Sequence, residues 1–231
     1  MTDESRIITR PLLTTAALLF ATMLALSVWA YVRLPADAQV PMHWNFMGEV
    51  DRYAGRFAGL FAGVALFPLV VGLLLLVPRI EPRRINLARS ARAYRATTYA
   101  AMAFLTGVHA AVVATALGRD VDVNRLVLLG AGLMVTVIGN WLPKVRSTYL
   151  FGIRTPWTLS SDAAWRRTHR VGGWAFVVLG LATVVAAVTL SSAVAMGTLL
   201  VGLMVLLVGL FAYSYAVWRS APDRRVRNGV A

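Results

Sequence analysis

Val171–Trp218, VGGWAFVVLGLATVVAAVTLSSAVAMGTLLVGLMVLLVGLFAYSYAVW, runs for 48 residues without an Asp, Glu, Lys or Arg. As one helix it would be roughly 72 Å long, whereas a hydrocarbon core of about 30 Å needs roughly 20 helical residues. The run therefore holds two membrane spans, with a reversal near Leu190–Ala195, where Ser191 and Ser192 interrupt the apolar sequence. Four further charge-free runs, 12–32, 57–78, 96–118 and 126–143, each hold one span. The expected fold class is all-α, a polytopic membrane protein built as a bundle of six transmembrane helices. Hydrophobic residues make up 58% of the chain and charged residues 14%, which is not the composition of a soluble domain.

The net charge of +13 is distributed by side. Arg6 and Arg10 precede the first span; Arg79, Arg83, Arg84, Arg89, Arg92 and Arg95 lie between the second and third. Lys144, Arg146, Arg154, Arg166, Arg167 and Arg170 lie between the fourth and fifth, and Arg219, Arg224, Arg225 and Arg227 follow the sixth. These are 18 of the 23 basic residues; Arg33, Arg52, Arg56, Arg119 and Arg125 occupy the alternate connections. By the positive-inside rule both termini are expected in the cytoplasm. Topology and anionic lipid account for the charge, and direct nucleic-acid binding is not required. Cysteine is absent, which excludes disulfides and thiolate metal sites. Ala36-Asp37-Ala38 has a small-x-small cleavage pattern, but the preceding apolar run is long for a signal core, so a retained first helix is expected.

Two connections carry unusual composition. The first reads Pro41-Met42-His43-Trp44-Asn45-Phe46-Met47-Gly48-Glu49-Val50-Asp51-Arg52-Tyr53. Trp44, Phe46 and Tyr53 suit the membrane interface, and His43, Asn45, Glu49 and Asp51 form a polar cluster on the outer side. One reading is a folded cap turned at Gly48; another is contact with a peptide, headgroup or metal. One His and two carboxylates are few ligands for a metal, and no metal or cofactor is expected.

The second reads GNWLPKVRSTYLFGIRTPWTLSSDAAWRRTHRVGG from Gly139 to Gly173. Asn140 is placed to satisfy backbone groups freed around Pro143, next to Lys144. Gly152 and Pro156 force a non-helical path that presents Arg154 and Thr155. Ser160, Ser161 or Asp162 can cap a short helix on which Trp165 and His169, four apart, share a face. Trp157, Trp165 and Trp174 then read as interfacial anchors, and Gly172-Gly173 as a sharp entry into the fifth span. Asn86–Arg95 reads as an interfacial amphipathic segment. Glycine rows at 55, 59 and 63, and at 180, 197, 202 and 209, suggest close helix packing. His109 is the one titratable residue deep in a span. A hydrogen-bonded structural role is favoured over a proton-carrying one. No nucleophile–base or zinc-protease pattern is present, so the chain is not expected to be an enzyme.

The Gly-Asn-x-x-Pro-Lys start, the Gly-Ile-Arg-Thr-Pro-Trp-Thr-Leu core and Trp-x-x-Thr-His-x-x-Gly-Gly resemble the SdpI family of bacterial immunity proteins. Pro-x-His-Trp-Asn-x-x-Gly-x-x-Asp-x-Tyr resembles the N-terminal domain of unknown function that accompanies that family. Where the family commonly has Pro-Asn after the Lys-x-basic step, this chain has Ser147-Thr148. The resemblance implies a multi-pass protein of the bacterial inner membrane that protects against a secreted peptide toxin. It also implies a possible cytoplasmic winged-helix repressor as partner. On that basis His43, Trp44, Asn45, Glu49, Asp51 and Tyr53 are candidates for toxin contact. Asn140, Pro143, Lys144, Arg154, Thr155, Pro156, Trp157, Trp165 and His169 are candidates for partner contact or signalling. The alternatives are a small-solute or lipid transporter and a structural membrane subunit. The expected division is an N-terminal two-helix unit over 1–78, a basic connection, third helix and outer turn over 79–125, an SdpI-like unit over 126–218, and a basic tail over 219–231.

Overall fold

The computed structural model describes residues 7–45 and 47–223. Phe46, Arg6 and the tail arginines Arg224, Arg225 and Arg227 lie outside the described residues. Six helical stretches of 22 to 28 residues, one of them Val123–Lys144 with its terminal 3₁₀ turn included, are long and apolar enough to cross a membrane. In chain order the elements are α1 (Arg10–Arg33), β1 (Gln39–Trp44), β2 (Val50–Gly55), α2 (Arg56–Ile80), the short α3 (Arg84–Arg89), α4 (Ala91–Ala116) and α5 (Val123–Trp141). A 3₁₀ turn (Leu142–Lys144), the short α6 (Pro156–Ser160), α7 (Asp162–Thr189) and α8 (Ser192–Arg219) complete them. Helix starts follow local chemistry: the side chains of Thr9, Asp122, Thr155, Ser161 and Ser191 each accept from a backbone N–H of the first turn.

The spans pack as two three-helix units. Helices α1, α2 and α4 enclose Leu12, Met23, Val64, Phe67, Val71 and Met102. Helices α5, α7 and α8 enclose Leu128, Val135, Ala186, Ala187, Ala195 and Leu199. The units meet along α4 and α5. In the first unit Ser27 Oγ donates to Leu60 O at 2.8 Å, while His109 Nε2 lies 3.1 Å from Ser27 Oγ and 3.2 Å from Met23 O. Since the hydroxyl hydrogen is used on Leu60, His109 Nε2 is the donor to both, which fixes its tautomer. This one network ties three helices together where lipid supplies no hydrogen bonds.

The connection after α1 folds as an antiparallel β-hairpin, β1 against β2, with register irregularities around His43. The helical bundle thus carries a small sheet that the sequence pattern did not show. Val40 is fully buried among Ala30, Leu60 and Val113, so the hairpin plugs that end of the first unit. At the opposite end, Ile7 packs with Leu87, Ala91 and Tyr94.

Several local expectations are corrected. Helix α7 runs unbroken through Gly172 and Gly173. These glycines serve close approach: a Cβ at Gly173 would lie 2.6 Å from Pro143 and 2.8 Å from Gly139 O. Gly180 packs on α5, with 2.3 Å to Thr136 Oγ1 and 2.5 Å to Gly132 O for an added Cβ, so it belongs to the α5–α7 seam rather than the α7–α8 hairpin. Gly202 does meet α8's neighbour, at Leu179, while Gly197 and Gly209 face open space. Of the first row, Gly59 meets Val40 of the hairpin, Gly63 meets His109, and Gly55 meets nothing. The Asn86–Arg95 segment is a short helix, a break at Ser90 and the first turn of α4, with Leu87 wholly buried.

The seam predicts a contrast. Gly180→Ala should destabilise the protein by about 1–3 kcal/mol through overpacking against backbone. Gly197→Ala should change stability by no more than about 0.5 kcal/mol. Thermal unfolding in detergent compares them, and equal effects would contradict the seam.

Candidate functional site

The segment from Val145 to Ser161 forms a shaped loop at the basic end of the bundle, held from three directions. From α7, Trp165 Nε1 donates to Val145 O at 2.8 Å, and His169 Nε2 accepts from Ile153 N at 3.0 Å. His169 Nδ1 lies 2.9 Å from Trp165 O, so the ring carries its proton on Nδ1. The two rings, one helical turn apart, stack with centroids 3.9 Å apart. Both are buried, so Trp165 is a core residue and not an interfacial anchor; Trp174, 71% exposed, is free to act as one. Gly152 has φ +113°, and a Cβ there would sit 2.6 Å from His169 Nε2. Only glycine fits both the left-handed backbone and the ring.

From α8, Trp157 packs on Phe211 and Tyr215, at 4.7 and 5.1 Å between ring centroids. Buried Thr155 caps α6, exchanging side chain–backbone bonds with Thr158, and its Oγ1 lies 3.0 Å from Ser214 Oγ. Ser161 Oγ, the cap of α7, donates to both Asp223 oxygens, and Ala163 N donates to Oδ2. Burial pushes the Asp223 carboxyl up, but these hydrogen bonds outweigh it, so it titrates below the ordinary carboxylate value. A depressed pKa means that this contact stabilises the fold above that ordinary value and is lost as pH falls through the folded value.

From the first unit comes the grip that sequence reasoning missed. Glu81, wholly buried at the end of α2, accepts from Tyr149 N at 3.0 Å, Leu150 N at 2.8 Å and Arg83 N at 2.9 Å. Successive backbone N–H groups converge on both its oxygens, the arrangement that suits an acceptor-only carboxylate. Arg83 donates to Ser147 Oγ, to Leu159 O at 3.2 Å and to Tyr149 Oη at 3.3 Å, with its guanidinium 4.5 Å from the Tyr149 ring centroid. Asn86 Nδ2 donates to Ser147 O, and Arg146 N to Ser90 Oγ. Buried Thr148, standing where the resembling family has Asn, donates to Phe151 O. The available signal was Glu81 itself, the single acid in a connection with six arginines.

Of the inner candidates, Thr155, Trp165 and His169 are therefore buried in the loop's framework and Trp157 is half-buried against α8. Asn140, Pro143, Lys144, Arg154 and Pro156 are exposed. The Asn140 side chain makes no hydrogen bond among the described residues, so it does not satisfy the backbone around Pro143. Arg154 Nη1 donates to Tyr149 O at 3.0 Å while its side chain stays exposed.

The outer candidates pair mainly with one another. His43 Nδ1 lies 2.6 Å from Asp51 Oδ1. Asn45 Oδ1 accepts from Met47 N and Glu49 N, its Nδ2 donates to Glu49 Oε2, and Gly48 turns the chain at φ +91°. Asn124 at the start of α5 donates to Asn45 O at 3.3 Å, which joins hairpin to second unit. Trp44 is half-buried; His43, Glu49, Asp51 and Tyr53 are exposed. Among the described residues no group of three or more His, Cys, Asp or Glu side chains could hold a metal ion. The inner and outer candidates lie at opposite ends of the bundle.

Residues 144–214 match the SdpI/YfhL protein family, and residues 18–71 match a domain of unknown function, DUF1648. The chain is also similar to the immunity protein SdpI of Bacillus subtilis (strain 168), 33% identical over 64 residues. That similarity covers 28% of this chain and spans about a third, 31%, of the relative. No solved structure matches. The matches support membership in the SdpI/YfhL family, and with six apolar helices the protein is a multi-pass bacterial membrane protein.

The loop geometry separates framework from surface. Gly152→Ala should cost about 1–3 kcal/mol of stability, and Arg154→Ala should stay within about 0.5 kcal/mol. Thermal unfolding of the purified protein measures both; a neutral Gly152→Ala would contradict the His169–Ile153 contact.

Proposed function

We propose that this protein is an integral membrane immunity protein that confers resistance to a secreted antimicrobial peptide. The observation that carries the reading is the family match over residues 144–214, which is the loop and two spans described above. The relative named as an immunity protein lends support over a limited segment. Both termini face the cytoplasm in this reading, because 18 of the 23 basic residues belong to the two termini and the two connections that the order of spans puts on their side. The hairpin then faces outside, where the exposed edge of His43, Glu49, Asp51 and Tyr53 meets the peptide. The loop's exposed surface, Arg154 and Pro156 foremost, faces inside and meets a cytoplasmic partner such as a winged-helix repressor. Framework residues Trp165 and His169 act by shaping that surface.

Survival of a toxin-sensitive bacterium exposed to an SDP-type peptide tests the reading. Membrane-inserted wild type should raise survival well above that of the same cells without the protein. Arg154→Ala, equally inserted, should lose most of that gain. Absence of protection by inserted wild type would refute immunity to this peptide class. Full protection by Arg154→Ala would refute the part given to the inner loop.

A further inference from the structure

The basic end of the α4–α5 interface combines a cationic pocket with an apolar groove along the same two helices. The pocket, about 650 Å³, is lined by Arg89, Arg92, Arg95, Trp141 and Lys144, with no acidic side chain. It adjoins a second pocket of about 430 Å³ that shares Arg89 and Lys144 and adds Arg146 and Arg166, with Asp162 as its one acid. Arg89, Arg92, Lys144, Arg146 and Arg166 make no ion pair among the described residues. Lys144 Nζ instead lies 4.2 Å from the Trp141 ring centroid, which leaves its charge directed at the pocket without neutralising it.

The groove, about 340 Å³, is almost wholly apolar and includes Phe104, Gly107, Leu126, Gly130, Leu133 and Val137. On α5, Leu126, Gly130, Leu133, Val137 and Trp141 recur every three or four residues and form one row, and Lys144 follows at the end of the 3₁₀ turn. That row leads from groove to pocket. On α4, Arg92, Ala96, Ala100, Ala103 and Gly107 do the same, and the small residues keep the groove open. Along α4, Ala100 lies about 12 Å and Gly107 about 22 Å from Arg92. In a core about 30 Å thick, those are acyl-chain depths for a headgroup held at Arg92.

We propose that this surface is a binding site for an anionic glycerophospholipid. Its phosphate sits among Arg89, Arg92 and Lys144, its glycerol backbone against Trp141, and one acyl chain in the α4–α5 groove. A lipid fits where a soluble acidic protein does not, because the cations open onto an apolar channel that only a chain-bearing anion can fill. Guanidinium groups match phosphate oxygens in paired geometry, and loss of competing water at the interface strengthens them. The bound lipid wedges the α4–α5 seam between the two three-helix units, so its occupancy would stabilise their association.

Native mass spectrometry of the full chain in a zwitterionic detergent, titrated with phosphatidylglycerol or phosphatidylcholine of matched chains, tests this. Wild type should retain phosphatidylglycerol at least about tenfold more tightly. The combined change Arg89→Gln, Arg92→Gln and Lys144→Gln should abolish that preference. Gly107→Leu, where an added Cβ meets nothing within 4 Å, fills the groove far from the charges; it should weaken both lipids without lowering lipid-free thermal stability. Equal retention of the two lipids by wild type would overturn the proposal. So would a preference untouched by the triple change, or displacement of the lipid by a soluble acidic peptide.

Discussion

A single buried carboxylate, Glu81, connects the two halves of the bundle at the end where the family motif lies. It leaves α2 in the first unit and receives the backbone N–H groups of Tyr149 and Leu150 in the loop before the last two spans. Burying a charge costs several kcal/mol unless hydrogen bonds replace its water shell, and here N–H donors do so from both sides of the connection. Arg83, Asn86 and Ser90 extend the same grip to Ser147, Leu159 and Arg146. The loop's path is thus set by the N-terminal half, although its sequence motif belongs to the C-terminal half.

Both candidate regions obey one economy: their polar side chains are used mostly to shape backbone. Asn45 closes the hairpin turn, His169 and Trp165 fix the two ends of the loop, and Thr155 caps α6. Among the candidates, His43, Glu49, Asp51 and Tyr53 remain exposed at one end and Asn140, Pro143, Lys144, Arg154 and Pro156 at the other. Recognition at either end would then depend on the presentation of a few groups by a rigid support, as in other binding loops.

The six spans were legible because charge-free length is decided by the bilayer and needs no tertiary knowledge. The face shared by Trp165 and His169 was legible from helical spacing. The cap was narrowed only to Ser160, Ser161 or Asp162, of which Ser161 takes the role, at the start of a long helix rather than a short one. The β-hairpin was not, since Pro41 and the irregular register around His43 hide the alternation that marks a strand. Gly172-Gly173 suggested a bend because local propensity is silent about a neighbouring helix; contact with Pro143 and Gly139 explains them instead. Glu81 escaped notice because a lone acid among arginines looks solvated, and only the folded loop brings amides to it. That Gly197 and Gly209 meet no neighbour within 4 Å likewise had no trace in their spacing.

Amide hydrogen exchange at Tyr149 and Leu150, in wild type and Glu81→Gln reconstituted in lipid nanodiscs, bears most directly on this account. Wild type should show slow exchange at both positions. The variant, which turns an amide donor toward backbone donors, should exchange at least about tenfold faster there, equivalent to 1.4 kcal/mol or more of lost protection. Fast exchange at Tyr149 and Leu150 in wild type, or no change in the variant, would contradict the role of Glu81 as the tie between the two halves.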